Sequence, residues 1–391
     1  MEEWKEYKIE DICEHIFAGG DAAKYSSSKY QTPFYNIPIY ANSTENEGLY
    51  GYCDKAVVSS PAVTIAARGA GIGFVAFRNK PFVPIVRLIT LITNNSVDTK
   101  FLYYYLKNRR LSGDGSAIPQ ITVPMVKKEV VTIPALEEQK RIADILSSFD
   151  AKIELNRRIN DNLEQQAQAL FKSWFVDFEP FKDGKFVDSE MGMIPEGWKV
   201  VQLGEIIEIS KRIINPQKNP DKIFYHYSLP ACDNGLIPEI QSGKDIMSNK
   251  IILQNNTILF SKLNPRIKRI WFACDVLNDS ICSTEFIPYR AKNERESVYI
   301  YSIINSDSFY ASVLGCVNGA TGSHQRFHAE DTLGLLFPYK KDIVDKYIDL
   351  VKPVLAEIHK LRIENKTLAL TRDSLLPRLM SGELKFNDLN N

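Results

Sequence analysis

The chain says the same thing twice. Trp4 opens the segment WKEYKIEDICEHI, and 194 residues later Trp198 opens WKVVQLGEIIEIS. Gly115-Ser116 with Gln120 is echoed by Gly322-Ser323 with Gln325. Each copy then runs through an apolar stretch to a proline (Ile133-Pro134, then Phe337-Pro338, an offset of 204) and into a long helical pattern. A repeat of about 200 residues is far longer than the 20–50-residue unit of a solenoid. It predicts two similar globular domains, each trailing a long helix. One polypeptide then builds a pseudo-twofold object, and such objects suit twofold partners such as duplex DNA.

Within each copy the globular segment and the helical segment differ in texture. Residues 1 to about 132 hold short runs rich in Tyr, Ile and Val, such as Ala62-Val63-Thr64-Ile65-Ala66, broken by Gly and Pro. These read as strands and turns of a mixed α+β globule, with a short helix near Lys100 to Asn108. From Leu136 the pattern changes. Ile142, Leu146, Phe149, Ile153, Asn156, Ile159, Leu163, Ala167, Leu170 and Trp174 recur largely at helical spacing, and no Pro or Gly interrupts from Ala135 to Glu179. The reading is one amphipathic helix of roughly 60 Å. A stripe that long needs a second helix to cover it. Val344, Ile348, Val351, Leu355, Ile358, Leu361, Asn365, Leu368, Leu375 and Leu379 supply one, and the repeat predicts antiparallel pairing. Pro353 is expected to kink that helix or mark its start, and Pro377 to disturb its final turn. Asn156 and Asn365 lie on the seams, either capping a polar layer or fixing register.

The expected divisions are a first globule over 1–133, a long helix over 134–180, a connector over 181–197, a second globule over 198–338 and a C-terminal helix over 339–391. The 48 basic and 48 acidic residues leave a formal net charge of +0, unlike a solitary nucleic-acid binder. DNA as a ligand then requires basic residues gathered on one face, or a partner that adds positive charge. Six scattered cysteines with no CxxC pair point to reduced thiols rather than zinc fingers or a disulfide frame. No apolar leader or membrane span is legible, and a cytoplasmic setting is expected.

A catalytic constellation is not legible either. Gly69-Ala70-Gly71-Ile72-Gly73 is GxGxG rather than GxGxxG and reads as a tight turn. Ser242-Gly243-Lys244-Asp245 lacks the rest of a P-loop, and Glu383-Leu384-Lys385 has no Pro-Asp partner for a nuclease motif. His324 and His328 stand four apart without a carboxylate at ligand spacing. No metal is expected and no catalysis by this chain alone.

Basic and amide residues do recur in register. Arg68 and Lys262 end strand patterns 194 residues apart, and Arg266, Lys268 and Arg269 come soon after the second. Gln120 and Gln325 correspond at an offset of 205, with Arg326 beside the latter. Arg and Lys hydrogen-bond guanine edges, and Gln grips adenine in the major groove. Singly, each reads as a solvated rim residue. As recurring pairs they point to nucleic-acid contact.

Three stretches name a family. Ile133-Pro134-Ala135-Leu136-Glu137-Glu138-Gln139-Lys140-Arg141-Ile142-Ala143, Ala169-Leu170-Phe171-Lys172-Ser173-Trp174-Phe175-Val176-Asp177-Phe178-Glu179-Pro180 and Gly192-Met193-Ile194-Pro195-Glu196-Gly197-Trp198 resemble the central region of type I restriction–modification specificity subunits. Leu375-Leu376-Pro377-Arg378-Leu379-Met380-Ser381-Gly382-Glu383-Leu384 resembles their C-terminal region. The resemblance implies two α+β target-recognition domains separated by a pair of long antiparallel helices. Each domain would read half of a bipartite DNA site, and the helices would set the spacer. It also implies two methyltransferase subunits as partners, and restriction subunits in the full complex. S-adenosylmethionine, ATP and magnesium would belong to those subunits and not to this chain. Phe171, Phe175 and Phe178, taken as exposed at a helix end, are candidates for docking the methyltransferase, with core packing as the alternative. The rival function is a coiled-coil scaffold whose globules bind proteins.

Overall fold

The computed structural model describes residues 4–109, 111, 113, 119–316 and 325–384. The chain divides into two compact units, Met1–Ile153 with Thr367–Asn391, and Glu154–Lys366.

In the first unit, the strands Lys5–Lys8 and Val130–Ile133 pair antiparallel and clasp the ends of the globule together. The main sheet runs in the order Cys13–Ala18, Ile89–Thr93, Ala62–Ile65, Val75–Arg78, every pair antiparallel. Ala62–Ile65 is an apolar run with Thr64 its one polar residue, and all four residues are buried, as an inner strand requires. The helix Thr99–Arg109 buries Phe101, Leu102 and Leu106 in the same core. A smaller sheet orders Ser27–Ser28, Leu49–Cys53, Ile37–Tyr40 and Val83–Pro84.

The second unit repeats this plan. Its clasp is Lys199–Gln202 with Leu336–Tyr339. Its main sheet orders Ile207–Ile209, Phe286–Ala291, Thr257–Ser261 and Ile270–Ala273, again all antiparallel. Its helix Ser297–Asn305 packs into the same core as that sheet, and every one of its residues is buried. The smaller sheet has grown to five strands, Ile213–Ile214, Lys250–Ile252, Ser280–Ser283, Ile223–Tyr227 and Glu239–Ser242. The repeat read from the sequence is therefore a repeat of strand order.

The two long helices are Leu136–Phe175 and Lys341–Met380. The first is pinned at its start by Gln139, whose Oε1 accepts from Asp98 N at 2.9 Å while Nε2 donates to the Pro134 carbonyl at 2.8 Å. It ends before Phe178, which takes a left-handed φ of 52°. That conformation is costly for a residue with a Cβ. It is held because the ring is buried edge-on against Trp198, 5.4 Å between centroids. Pro353 does not mark the start of the second helix, which corrects one of the two outcomes expected of it. The second helix begins at Lys341 and runs to Met380, so neither proline starts or stops it. Each removes a donor to the carbonyl four residues back. Buried neighbours on either side, Val351 and Leu355 for one, Leu376 and Leu379 for the other, hold the helix through the gap.

Within the second unit the helices run antiparallel. Tyr347 Oη donates to the Ala167 carbonyl, Arg362 pairs with Glu164, and Asn156 Nδ2 donates to Asn365 Oδ1 at 3.0 Å. Within the first unit Arg372 pairs with Asp150, which also accepts from Tyr104 Oη at 2.5 Å. There Ile142, Leu146, Leu376, Leu379 and Met380 close the core of the globule.

Candidate nucleic-acid interface

The hairpin between Ala62–Ile65 and Val75–Arg78 turns through the glycine-rich stretch. Ala66 N donates to Phe74 O and Gly73 N to Ala66 O, both at 2.9 Å. Gly69 and Gly73 each take a φ of 78°. At Gly73 a Cβ would also lie 2.4 Å from the Leu111 carbonyl, so no side chain fits. GxGxG is thus a hairpin turn, with no helix after it to receive a dinucleotide. Ile121 N donates to Ala67 O at 3.0 Å, which brings Gln120 beside the start of this turn and Arg68.

The second unit makes the same juxtaposition. Its hairpin turn, 262–269, joins Thr257–Ser261 to Ile270–Ala273. Asn264 N donates to Gln325 O at 3.0 Å, and Leu263 bridges Arg326. Lys262 and Gln325, which are 63 positions apart in sequence, thereby share one edge. Gly115-Ser116, Gly322-Ser323 and His324 lie outside the described residues.

The side chains at these two edges divide by their partners. Arg266 is exposed and Lys262 half-buried, and neither has an ion-pair or side-chain hydrogen-bond partner among the described residues. Arg68 is half-buried, and its Nε has no partner among the described residues. Gln325 Oε1 is in the same state. Gln120 is half-buried. The remaining three are engaged. Arg269 forms a two-pronged pair with Asp233, Nε at 2.6 Å and Nη2 at 2.9 Å, and that bond holds its pKa above the ordinary value. Arg326 forms a two-pronged pair with Glu285, at 3.2 and 3.1 Å. Lys268 Nζ donates to the Asn305 carbonyl at 2.6 Å, and burial lowers its pKa. The sequence grouped four cations after the second strand, but the fold gives two of them internal work. The carboxylates that engage Arg269 and Arg326 stand 36 and 41 residues away, beyond any local pattern.

The phenylalanine reading is corrected. Phe171, Phe175 and Phe178 are all buried, and they belong to the core of the second unit. Phe175 packs within 4.9 Å of Tyr299 and 5.2 Å of Tyr347, centroid to centroid. Aromatic rings at helical spacing found the nearest apolar surface, which was their own globule.

Two positioning residues escaped the sequence reading. Asn42 Oδ1 accepts from Ala67 N at 2.8 Å while its Nδ2 donates to the Val86 carbonyl at 2.5 Å, bracing the first hairpin. Arg78 is buried under Tyr40, 3.6 Å from guanidinium to ring centre, and Nη2 donates to the Glu47 carbonyl at 2.6 Å. Neither bond spans a short sequence interval, so no motif announced them.

A family model described as the type I restriction modification DNA specificity domain matches residues 1–165. The chain is 27% identical to the MjaIX type I restriction enzyme specificity subunit of Methanocaldococcus jannaschii, over 99% of this chain and 95% of that one. It is 32% identical to the HindI specificity subunit of Haemophilus influenzae over 46% of this chain and 43% of that one. A crystal structure of the type I restriction–modification S subunit from M. genitalium shares the fold, with a TM-score of 0.59 at 18% identity over 97% of this chain and 96% of that one. Repeated strand order, paired long helices and these likenesses agree: the chain belongs to the specificity subunits of type I restriction–modification systems.

Proposed function

We propose that this chain reads a two-part DNA site, one half per unit, on behalf of a methyltransferase and restriction complex, and that it performs no catalysis itself. The observation that carries the reading is the recurrence of one arrangement, a hairpin turn bearing a cation beside a glutamine segment. It occurs at Arg68 and Gln120, and again at Lys262 and Gln325. A buried polar atom without a partner is costly unless a ligand or water meets it. Among the described residues Arg68 Nε and Gln325 Oε1 are two such atoms, one per copy.

Arg68, Gln120, Lys262, Arg266 and Gln325 are the groups free to meet base edges or phosphates in this reading. Arg269 and Arg326 contribute by exchanging their internal carboxylate for phosphate, and Lys268 positions the turn. The balanced charge fits a reader whose partners complete the clamp around the duplex. Two methyltransferase subunits and the restriction subunits are the proposed partners. S-adenosylmethionine, ATP and magnesium would reside on them. The two long helices would set the spacer between half-sites. Among the described residues no helix is long and apolar enough to cross a membrane, and the proposed setting is the cytoplasm.

The test is methylome sequencing of a host carrying this chain with its methyltransferase subunit. The expected result is one bipartite motif with a fixed gap. Arg68→Ala should relax one half-site and Lys262→Ala the other. Methylation without a bipartite motif, or both variants acting on the same half, would refute the assignment.

A further inference from the structure

We propose that Cys274, Asp275 and His359 form a zinc(II) site in the second unit. Cys274-Asp275 directly follows the strand Ile270–Ala273, and His359 lies on the second long helix. One ligand atom from each of the three comes within 4.8 Å of the other two. His359 Nε2 and Asp275 Oδ2 are already 3.8 Å apart. Zinc bonds of roughly 2.0–2.3 Å in a tetrahedron need donors roughly 3.3–3.8 Å apart, so the set closes by about an ångström.

The donor types select the metal. A thiolate and an imidazole with one carboxylate suit zinc, whereas magnesium and calcium take oxygen. Two negative ligands would balance the ion's charge. Three protein ligands leave a fourth position for water. Room for it exists, because the cluster sits in a groove that Glu294, Lys352 and Ile363 also line. The Asp275 carboxylate is 82% exposed, so its pair with His359 is weak by itself and gives no reason for a thiol to converge there.

The site has no counterpart in the first copy. The matching strand Val75–Arg78 is followed by Asn79 and Lys80, and Leu136–Phe175 contains neither Cys nor His. Bound zinc would fasten one end of Ile270–Ala273 to the long helix. The other end of that strand leads into the hairpin turn carrying Lys262 and Arg266. The metal would therefore brace one hairpin and not the other. The inference stands whether or not that hairpin reads DNA.

The experiment titrates the chelator-stripped, reduced full chain with cobalt(II) and then zinc(II). The expected result is one equivalent of cobalt with a thiolate-to-cobalt charge-transfer band, displaced by zinc. Cys274→Ser should abolish the band and Cys316→Ser should leave it. His359→Gln and Asp275→Asn should weaken zinc binding by about 10–100-fold or more, at least the cost of losing an outer-sphere partner. Zinc should raise the thermal midpoint of the wild type but not of Cys274→Ser. Circular dichroism verifies folding, and Asp275→Asn, at an exposed position, serves if the cysteine variant misfolds. No stoichiometric band, a band kept in Cys274→Ser, or a band lost only in Cys316→Ser would overturn the site.

Discussion

The two units share a strand order and differ in what their matching hairpins carry. The first turn is glycine-rich, with Arg68 its one cation, and Asn42 braces it from below. The second holds Lys262, Arg266, Lys268 and Arg269, and Asp233 neutralises the last of these. The scaffold beneath both is a central apolar strand flanked by antiparallel neighbours. Its hydrogen bonds are backbone bonds and tolerate any outward side chain. Apart from Gly69 and Gly73 in the first copy, whose positive φ disfavours any side chain, the turns differ in the residues they carry. A shared sheet with unlike turns is what a pair of readers for unlike half-sites requires.

Core substitutions give the largest expected effect. Each unit's core is closed by the end of a long helix, with Phe175 at one and Met380 at the other. Phe175→Ala should cost about 3–5 kcal/mol and Met380→Ala about 2–5 kcal/mol in denaturant unfolding. Hydrogen exchange should rise across 154–366 for the first and across the other unit for the second. A Phe175→Ala protein of unchanged stability that fails to bind the methyltransferase would restore the docking reading.

Next come the turns themselves. Arg68→Ala and Lys262→Ala should each cost about 1–3 kcal/mol on a single half-site if they touch bases. A phosphate contact would instead weaken all sequences alike and reduce the salt slope by about 1. Arg269→Ala separates the two kinds of cation. Its first effect should fall on stability, through Asp233, rather than on DNA affinity.

The seams contrast too. In the second unit Asn156 is fully buried and donates to Asn365 and to Glu364 Oε2, each at 3.0 Å. In the first, Asp150 gathers Arg372 and Tyr104. Asn156→Ala should cost about 1 kcal/mol and leave the half-sites unchanged. A change in preferred spacer length would show that this layer fixes helix register.

The smallest effect is in acid. His226 is buried in the second unit, its Nδ1 2.8 Å from Gln241 Oε1, and burial with nearby Lys250 holds its pKa below the ordinary value, against weaker support from Gln241 and Glu239. The first unit has only His15, which is exposed. Above the unfolded pKa of about 6.5, His226 is neutral in both states and contributes no pH dependence. As pH falls below that value the unfolded chain takes up a proton first. Stability of the second unit should therefore decline until the folded pKa is passed. His226→Gln should lessen that decline in part, since burial shifts His359 of the same unit in the same direction, and a matching decline in exchange protection of the first unit would assign it elsewhere.

Much of the fold was legible because it is periodic. The helical spacing from Ile142 to Trp174 and the recurrence of the Trp-led strand needed no coordinates. The candidate interface was legible only as pairs. Arg68 with Gln120, and Lys262 with Gln325, stood out by recurring at similar offsets, although nothing local placed each pair on one edge. The fates of Arg269, Arg326 and the three phenylalanines were not legible, since each depends on a partner dozens of residues away.

By itself, then, the sequence determined the doubled plan, the long helices and the residue types at the turns. Backbone periodicity and repetition are local properties, and a one-dimensional string records them. Tertiary structure alone decided which cations remain free, which aromatics are buried, how Pro353 and Pro377 are tolerated within one helix, and that Cys274 meets His359. Those outcomes turn on distances across the fold, where a few ångströms separate an ion pair, a packed ring or a metal site from a solvated side chain.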